Sequence, residues 1–198
     1  MSMFPYAAAL APASPPPPFE ALPPVDAHFQ SRARREGELY DDVALEHLVA
    51  AGSGVEVGRH KIEHYPVDAR IVAANGGRYL VAAHGNFDEG SQPGLRRPDT
   101  VAKVAQRAVM LHAKGALPLI VVTSHLPKPG SATAHHLADL HSLLGTWLVD
   151  VVATTGDFAG FLRLQRLFSD LSRPQPSPAP WWHADPQLRL FDLGAEHA

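Results

Sequence analysis

The stretch PVDARIVAANGGRYLVAAH, residues 66–84, decides the architecture. Residues 67–73 (VDARIVA) and 78–84 (RYLVAAH) have strand length and strand composition, and Asn75-Gly76-Gly77 between them supplies the positive φ that a tight hairpin needs. Side chains alternate faces along a strand, so residues two apart share a face. With Asn75-Gly76-Gly77 as the loop, Ala74 pairs with Arg78 and Asp68 lies opposite His84, with Ala82 as its diagonal neighbour on that face. With a loop of only Asn75-Gly76, Asp68 moves opposite Ala83 and the cluster is lost.

On either side of the hairpin the pattern alternates between helix and strand. Upstream, residues 26–36 and 39–50 read as two helices. Leu39, Val43 and Leu45–Val49 give the second an apolar stripe, with Asp41 and Asp42 in its first turn. Residues 53–65 alternate as a strand. Downstream, 85–98 is a Gly- and Pro-punctuated loop. Residues 99–114 follow as a helix, with Asp99 as N-cap and Gly115 past its end. Residues 117–123 (LPLIVVT) and 148–154 (LVDVVAT) are near-continuous apolar runs of the kind found in strands buried on both faces. A helix over 131–145, opened by Ser131 or Thr133, lies between them, and a helix over 157–168 closes the domain. An antiparallel meander followed by crossover units implies an α/β fold: a mixed sheet with helices on both faces.

The ends differ from the middle. Most of the 19 prolines lie near the two termini. Residues 1–24 read as a flexible Pro-rich arm and 169–198 as a tail whose Trp181 and Trp182 could dock on the body, leaving 25–168 as one domain. The chain has no cysteine, which excludes disulfides, thiolate metal sites and a cysteine nucleophile, and fits a reducing, cytoplasmic setting. No segment is apolar for long enough to span a bilayer, so no membrane partner is expected, and the N-terminus does not read as a secretory signal. The net charge of −3 excludes a generic polyanion binder, so any nucleic-acid contact needs a local basic patch. Twelve histidines direct attention to metal or acid–base chemistry.

This order of elements resembles the PD-(D/E)XK, or restriction-endonuclease-like, nuclease superfamily over residues 40–155. Pro66-Val67-Asp68 stands at the PD place with one residue inserted, and Ala82-Ala83-His84 at the place of carboxylate, spacer and lysine. The resemblance implies a restriction-endonuclease-like fold and a nuclease dependent on Mg2+ or Mn2+, acting on nucleic acid, DNA first. In it Asp68 is the metal ligand, Ala82 stands where the second acid is expected, His84 orients water or stabilises charge, and Glu46 is the supporting acid of the preceding helix. Such a site works because a cation between scissile phosphate and water needs hard oxygen ligands. Ala82 offers no oxygen, so the resemblance also admits an inactive relative that still binds nucleic acid. Arg96, Arg97, Lys103, Gln106 and Arg107, on and before the following helix, are the expected phosphate contacts. Asp88 and Glu89 could add oxygens from the adjoining loop.

Other motifs carry less. His125, His135, His136 and His141 lack the spacing of a converging zinc set. Ala83–Asp88 with Thr155-Gly156-Asp157 has the content of a binuclear metallophosphatase but in the wrong order. Thr123-Ser124-His125 has no nucleophile elbow around it. The alternative from another class is a non-catalytic interaction module, in which the termini bind a protein partner or a second copy and the hairpin is only structural.

Overall fold

The computed structural model describes residues 29–85 and 94–170. The Pro-rich arm, the Trp181–Trp182 tail, Asp88 and Glu89 lie outside the described residues. Helix α1, Phe29–Ala50, is continuous where two helices were expected. Gly37 sits at the expected break, but one glycine costs a helix only about 1 kcal/mol, less than packing of the second half returns. That packing uses Tyr40, Ala44, His47, Leu48 and, just past the helix, Ala51, spaced three and four apart; of the expected stripe Leu48 is in the core and Leu45 packs against it, while Val49 is exposed.

Residues 53–65 do not form one strand. They divide into β1 (Ser53–Val57) and β2 (His60–Ile62), and β2 turns back at Glu63-His64 onto β3 (Tyr65–Val67) in a separate two-stranded ribbon. Asp68 then interrupts the expected strand 67–73, so that β4 spans Ala69–Ala73, and β5 spans Arg78–His84. The main sheet has the order β1-β4-β5-β6-β7, with β6 at Leu119–Thr123 and β7 at Leu148–Ala153. The pairs β1–β4 and β4–β5 are antiparallel, while β5–β6 and β6–β7 are parallel, which makes the sheet mixed as expected.

The helices α2 (Pro98–Ala113) and α3 (Ala132–Leu144) are the crossovers of the parallel half, and α4 (Phe158–Ser169) follows β7. Two apolar layers form. Tyr40, Leu48, Phe161, Leu164 and Phe168 of α1 and α4 cover the face bearing Ile71, Tyr79 and Val81. Val101, Val104, Leu111, Leu137 and Leu140 of α2 and α3 cover the face bearing Leu80, Ala82 and Val121. Helices therefore flank both faces of the sheet, because each crossover strand is apolar on both sides. No helix among the described residues is long and apolar enough to cross a membrane.

The hairpin turn is Ala74-Asn75-Gly76, one residue earlier than the sequence suggests. Ala73 N–H donates to Gly77 O (2.8 Å) and Gly76 N–H to Ala73 O (2.9 Å), with Gly76 at φ 85°. The reason lies in α4. Asn75 Nδ2 donates to Leu167 O (2.7 Å) and Asp170 O (3.1 Å), and its backbone N–H donates to Phe168 O (3.0 Å). The turn caps carbonyls at the end of α4 that have no partner within the helix, and this holds Asn75 at the tip. Ala69 consequently pairs with Val81 and Val72 with Arg78.

Candidate functional site

The paired residues of β4 and β5 end at Ala69 opposite Val81, so neither expected register is adopted. Asp68 stands just outside the ladder: its N–H donates to Val81 O (2.9 Å), the residue that Ala69 faces, and its side-chain Oδ2 accepts from Ala83 N–H (2.8 Å). The shift from the first register is two residues, so the face is preserved. Asp68, Ala82 and His84 all lie on the α2 side of the sheet, with His84 the diagonal neighbour.

The second partner of Asp68 comes from α2. Arg107 Nη1 donates to Asp68 Oδ2 at 3.2 Å, and both side chains are largely buried, 18% and 12% exposed. Arg59, just before β2, brings its Nε to 3.9 Å from Asp68 Oδ1 and pairs through Nη2 with Asp41. Asp41 is thus the α1 acid that reaches the site, passing the end of β1. Glu46 is exposed on α1 and faces away from the buried stripe, and no contact brings it to Asp68. The signal for this was present. Asp41 borders the stripe Tyr40–Ala44–Leu48, whereas Glu46 lies nearly opposite it on the helical wheel.

His84 closes the other side. Its Nε2 is sealed from solvent and has no hydrogen-bond partner among the described residues. Burial, reinforced by the positive charges of Arg107 and Lys103, lowers its pKa to about 3. It is a neutral imidazole at physiological pH, so the positive charge of this cluster resides in Arg107, Arg59 and Lys103. Its carbonyl is already engaged, accepting from Thr123 Oγ1 at 2.8 Å.

The remaining basic residues divide by role. Lys103 is exposed, with its Nζ 3.9 Å from Asp99, and Gln106 is exposed beside it. Arg97, not Asp99, is the N-cap of α2, with Pro98 in the first turn. Asp99 instead accepts from Arg97 Nε (3.1 Å) and Nη2 (3.2 Å). Arg96 donates from Nε to Leu126 O (3.3 Å), tying the 3-10 turn Gly94–Arg96 to the loop after β6. Of the expected strip, Arg107 reaches Asp68, Lys103 is exposed beside Asp99, and Arg96 holds the backbone.

The other motifs have structural employment. Asp157 caps α4, accepting from Gly160 N–H (2.9 Å) and Ala153 N–H (3.1 Å). His135 and His136 are exposed on α3, and Ser124 is buried against Gly94.

These donors do not fit a divalent ion. Magnesium requires hard oxygens, usually from more than one carboxylate or from water and substrate phosphate. Here Asp68 supplies one carboxylate, already ion-paired to Arg107, and Ala82 on the strand next to it supplies none. Among the described residues no group of three or more histidines and carboxylates converges on a point. Searches against known protein families, curated proteins and solved structures find no match for the chain.

Proposed function

We propose that this chain is a restriction-endonuclease-like protein that binds nucleic acid, DNA first, and that its own residues fall one carboxylate short of a Mg2+- or Mn2+-dependent hydrolytic site. The observation that carries the reading is the seat of Asp68 beside β5, bonded to Val81 O and to Ala83 N–H, with Ala82 and His84 on the strand next to it. This is the arrangement in which the superfamily resemblance asks for two acids and a third polar group. The element order supports it: a helix, an antiparallel hairpin, a crossover helix and a parallel strand. Arg107 of that crossover helix is bonded to Asp68, and Lys103 is exposed one turn before it, which suits a phosphate backbone.

In this reading Asp68, Arg107, Lys103 and Arg59 position a phosphodiester beside neutral His84. Hydrolysis is absent because nothing assembles the metal-bound water. The test uses labelled single- and double-stranded oligonucleotides of DNA and RNA. The wild-type chain is expected to bind at low salt, with log affinity falling against log salt at a slope of roughly −2 to −3, as two or three phosphate contacts require. Ala82→Glu is expected to cleave one of these oligonucleotides in Mg2+ and not in EDTA. Absence of binding by the wild type together with absence of cleavage by the variant refutes the reading.

A further inference from the structure

We infer that the place which the nuclease resemblance gives to a divalent ion is taken in this chain by the guanidinium of Arg107, and that the pocket is a metal-independent receptor for a phosphate-type oxyanion. The identity of the larger ligand as nucleic acid rests on the reading above. The anion site itself rests on the following geometry.

Arg107 carries five N–H donors, and Nη1 to Asp68 is its one hydrogen bond among the described residues. Its side chain is four-fifths buried, so the charge is held in place rather than waving in solvent. Asp68 is the buttress: Oδ2 takes both Arg107 and Ala83 N–H, which fixes the carboxylate and, through it, the guanidinium. A planar fork with unspent donors is the group that binds phosphate oxygens in bidentate fashion.

The charge balance has the sign an anion requires. Among the described residues, Arg59, Arg97, Lys103 and Arg107 pair with Asp41, Asp68 and Asp99, four cations against three carboxylates. A divalent cation entering here meets a guanidinium already seated on the one carboxylate of the hairpin. An acid at position 82 would bring these to four against four; Ala82 leaves one cation in excess.

His84 supplies the independent observation. A buried ring nitrogen without a partner is an unmet hydrogen-bonding demand, and such groups are uncommon unless a ligand or water completes them. His84 follows Ala83, whose N–H is bonded to Asp68 Oδ2, and the positive charges of Arg107 and Lys103 act on its ring. An oxyanion held by the two cations presents oxygens to it. As a neutral imidazole His84 can donate one hydrogen bond from Nε2 without adding charge.

The full-length chain tests this, with a labelled DNA oligonucleotide, inorganic pyrophosphate and three proteins: wild type, Arg107→Gln and Arg107→Lys. Oligonucleotide affinity is expected to be equal in EDTA and in millimolar Mg2+. Arg107→Gln is expected to weaken it by about tenfold or more, the worth of a charged hydrogen-bonded contact, with Arg107→Lys between the two. Pyrophosphate in EDTA is expected to raise the melting temperature of the wild type and not that of Arg107→Gln. If Arg107→Gln fails to fold, Arg107→Lys decides, because it keeps the charge and loses the fork. Binding that requires Mg2+ overturns the inference. Binding in EDTA that is indifferent to both substitutions also overturns it, while leaving the nucleic-acid reading intact. Stabilisation by pyrophosphate through Arg107 without any oligonucleotide binding supports the anion site and removes the nucleic-acid reading.

Discussion

Arg107 donates to Asp68 across 3.2 Å, joining the middle of α2 to the start of β4. The pair neutralises a carboxylate that is 12% exposed, so each partner alone is costly. A double-mutant cycle of Arg107→Gln and Asp68→Asn, read by urea unfolding, is expected to give a coupling of about 1–3 kcal/mol. Additive single effects would mean that the two side chains do not interact in solution.

The same pair governs the response to metal. In the wild type Mg2+ is expected to leave the melting temperature unchanged, because Asp68 is already occupied by Arg107. Ala82→Glu inserts a second acid at a position with no solvent exposure, so the variant is expected to be less stable than the wild type in EDTA. Mg2+ is then expected to raise its melting temperature by about 5 °C or more, the shift produced when a ligand at roughly a hundred times its Kd binds only the folded state. Differential scanning calorimetry of both proteins checks this, and a Mg2+-dependent shift in the wild type would contradict the single-carboxylate site.

Stability is expected to fall on acidification through two histidines. His47 is 1% exposed, packs edge-on to Phe161 at 5.0 Å, and has no hydrogen bond at either ring nitrogen. Burial lowers its pKa, with Asp157 opposing, and His84 is lowered to about 3. Both folded pKa values lie below the unfolded value of about 6.5. As pH falls below 6.5 the unfolded chain takes up protons that the folded chain refuses. The stabilisation is complete above that pH and is lost on the way down, for His84 until about pH 3. Each histidine contributes a slope of at most about 1.4 kcal/mol per pH unit. Urea unfolding from neutral pH to about pH 4 should show the slope, and His47→Leu should reduce it. An unchanged slope in that variant would mean that His47 titrates normally.

Gly94 seats the start of the segment that leads into α2. It has φ 58°, and a Cβ there would press on Thr123 Oγ1 and come within 2.8 Å of His125 N and Ser124 Oγ. Leu95 N–H beside it donates to His125 O (3.1 Å) and Thr123 Oγ1 (3.2 Å). Gly94→Ala is expected to cost about 2 kcal/mol or more in urea unfolding, combining backbone strain with the clash. It is also expected to weaken oligonucleotide binding, since the same seat positions Arg107. A loss below about 0.5 kcal/mol would show that the end of β6 yields easily.

Local pattern was sufficient for the strands at 78–84, 119–123 and 148–153 and for the helices at 98–113, 132–144 and 158–169, each within two residues. Their apolar periodicity and their caps, Ser131 and the Gly115 turn among them, are written in neighbouring residues, and neighbours are what a sequence displays. The face shared by Asp68, Ala82 and His84 was readable for the same reason: alternation has a period of two, and a register shift of two preserves it. The division of 53–65 was not, because β1 stops where its partner β4 stops, and β2 turns away to pack Ile62 near Tyr65 over the α2 layer.

What required the tertiary structure involves residues far apart in the chain. Asn75 is held at the hairpin tip by the carbonyls of Leu167 and Asp170, and this sets the register that puts Val81 opposite Ala69. Asp41, not Glu46, is the acid of α1 at the pocket, because Arg59 reaches it from beyond β1. Arg107, expected among the phosphate contacts, is first the counter-ion of Asp68. An ion pair depends on where two side chains end after packing, and a linear pattern carries spacing along the chain but not distance across it. The hairpin and its polar face are therefore properties of residues 66–84, whereas the pairing of Asp68 with the Arg107 guanidinium is a property of the folded sheet and α2 together.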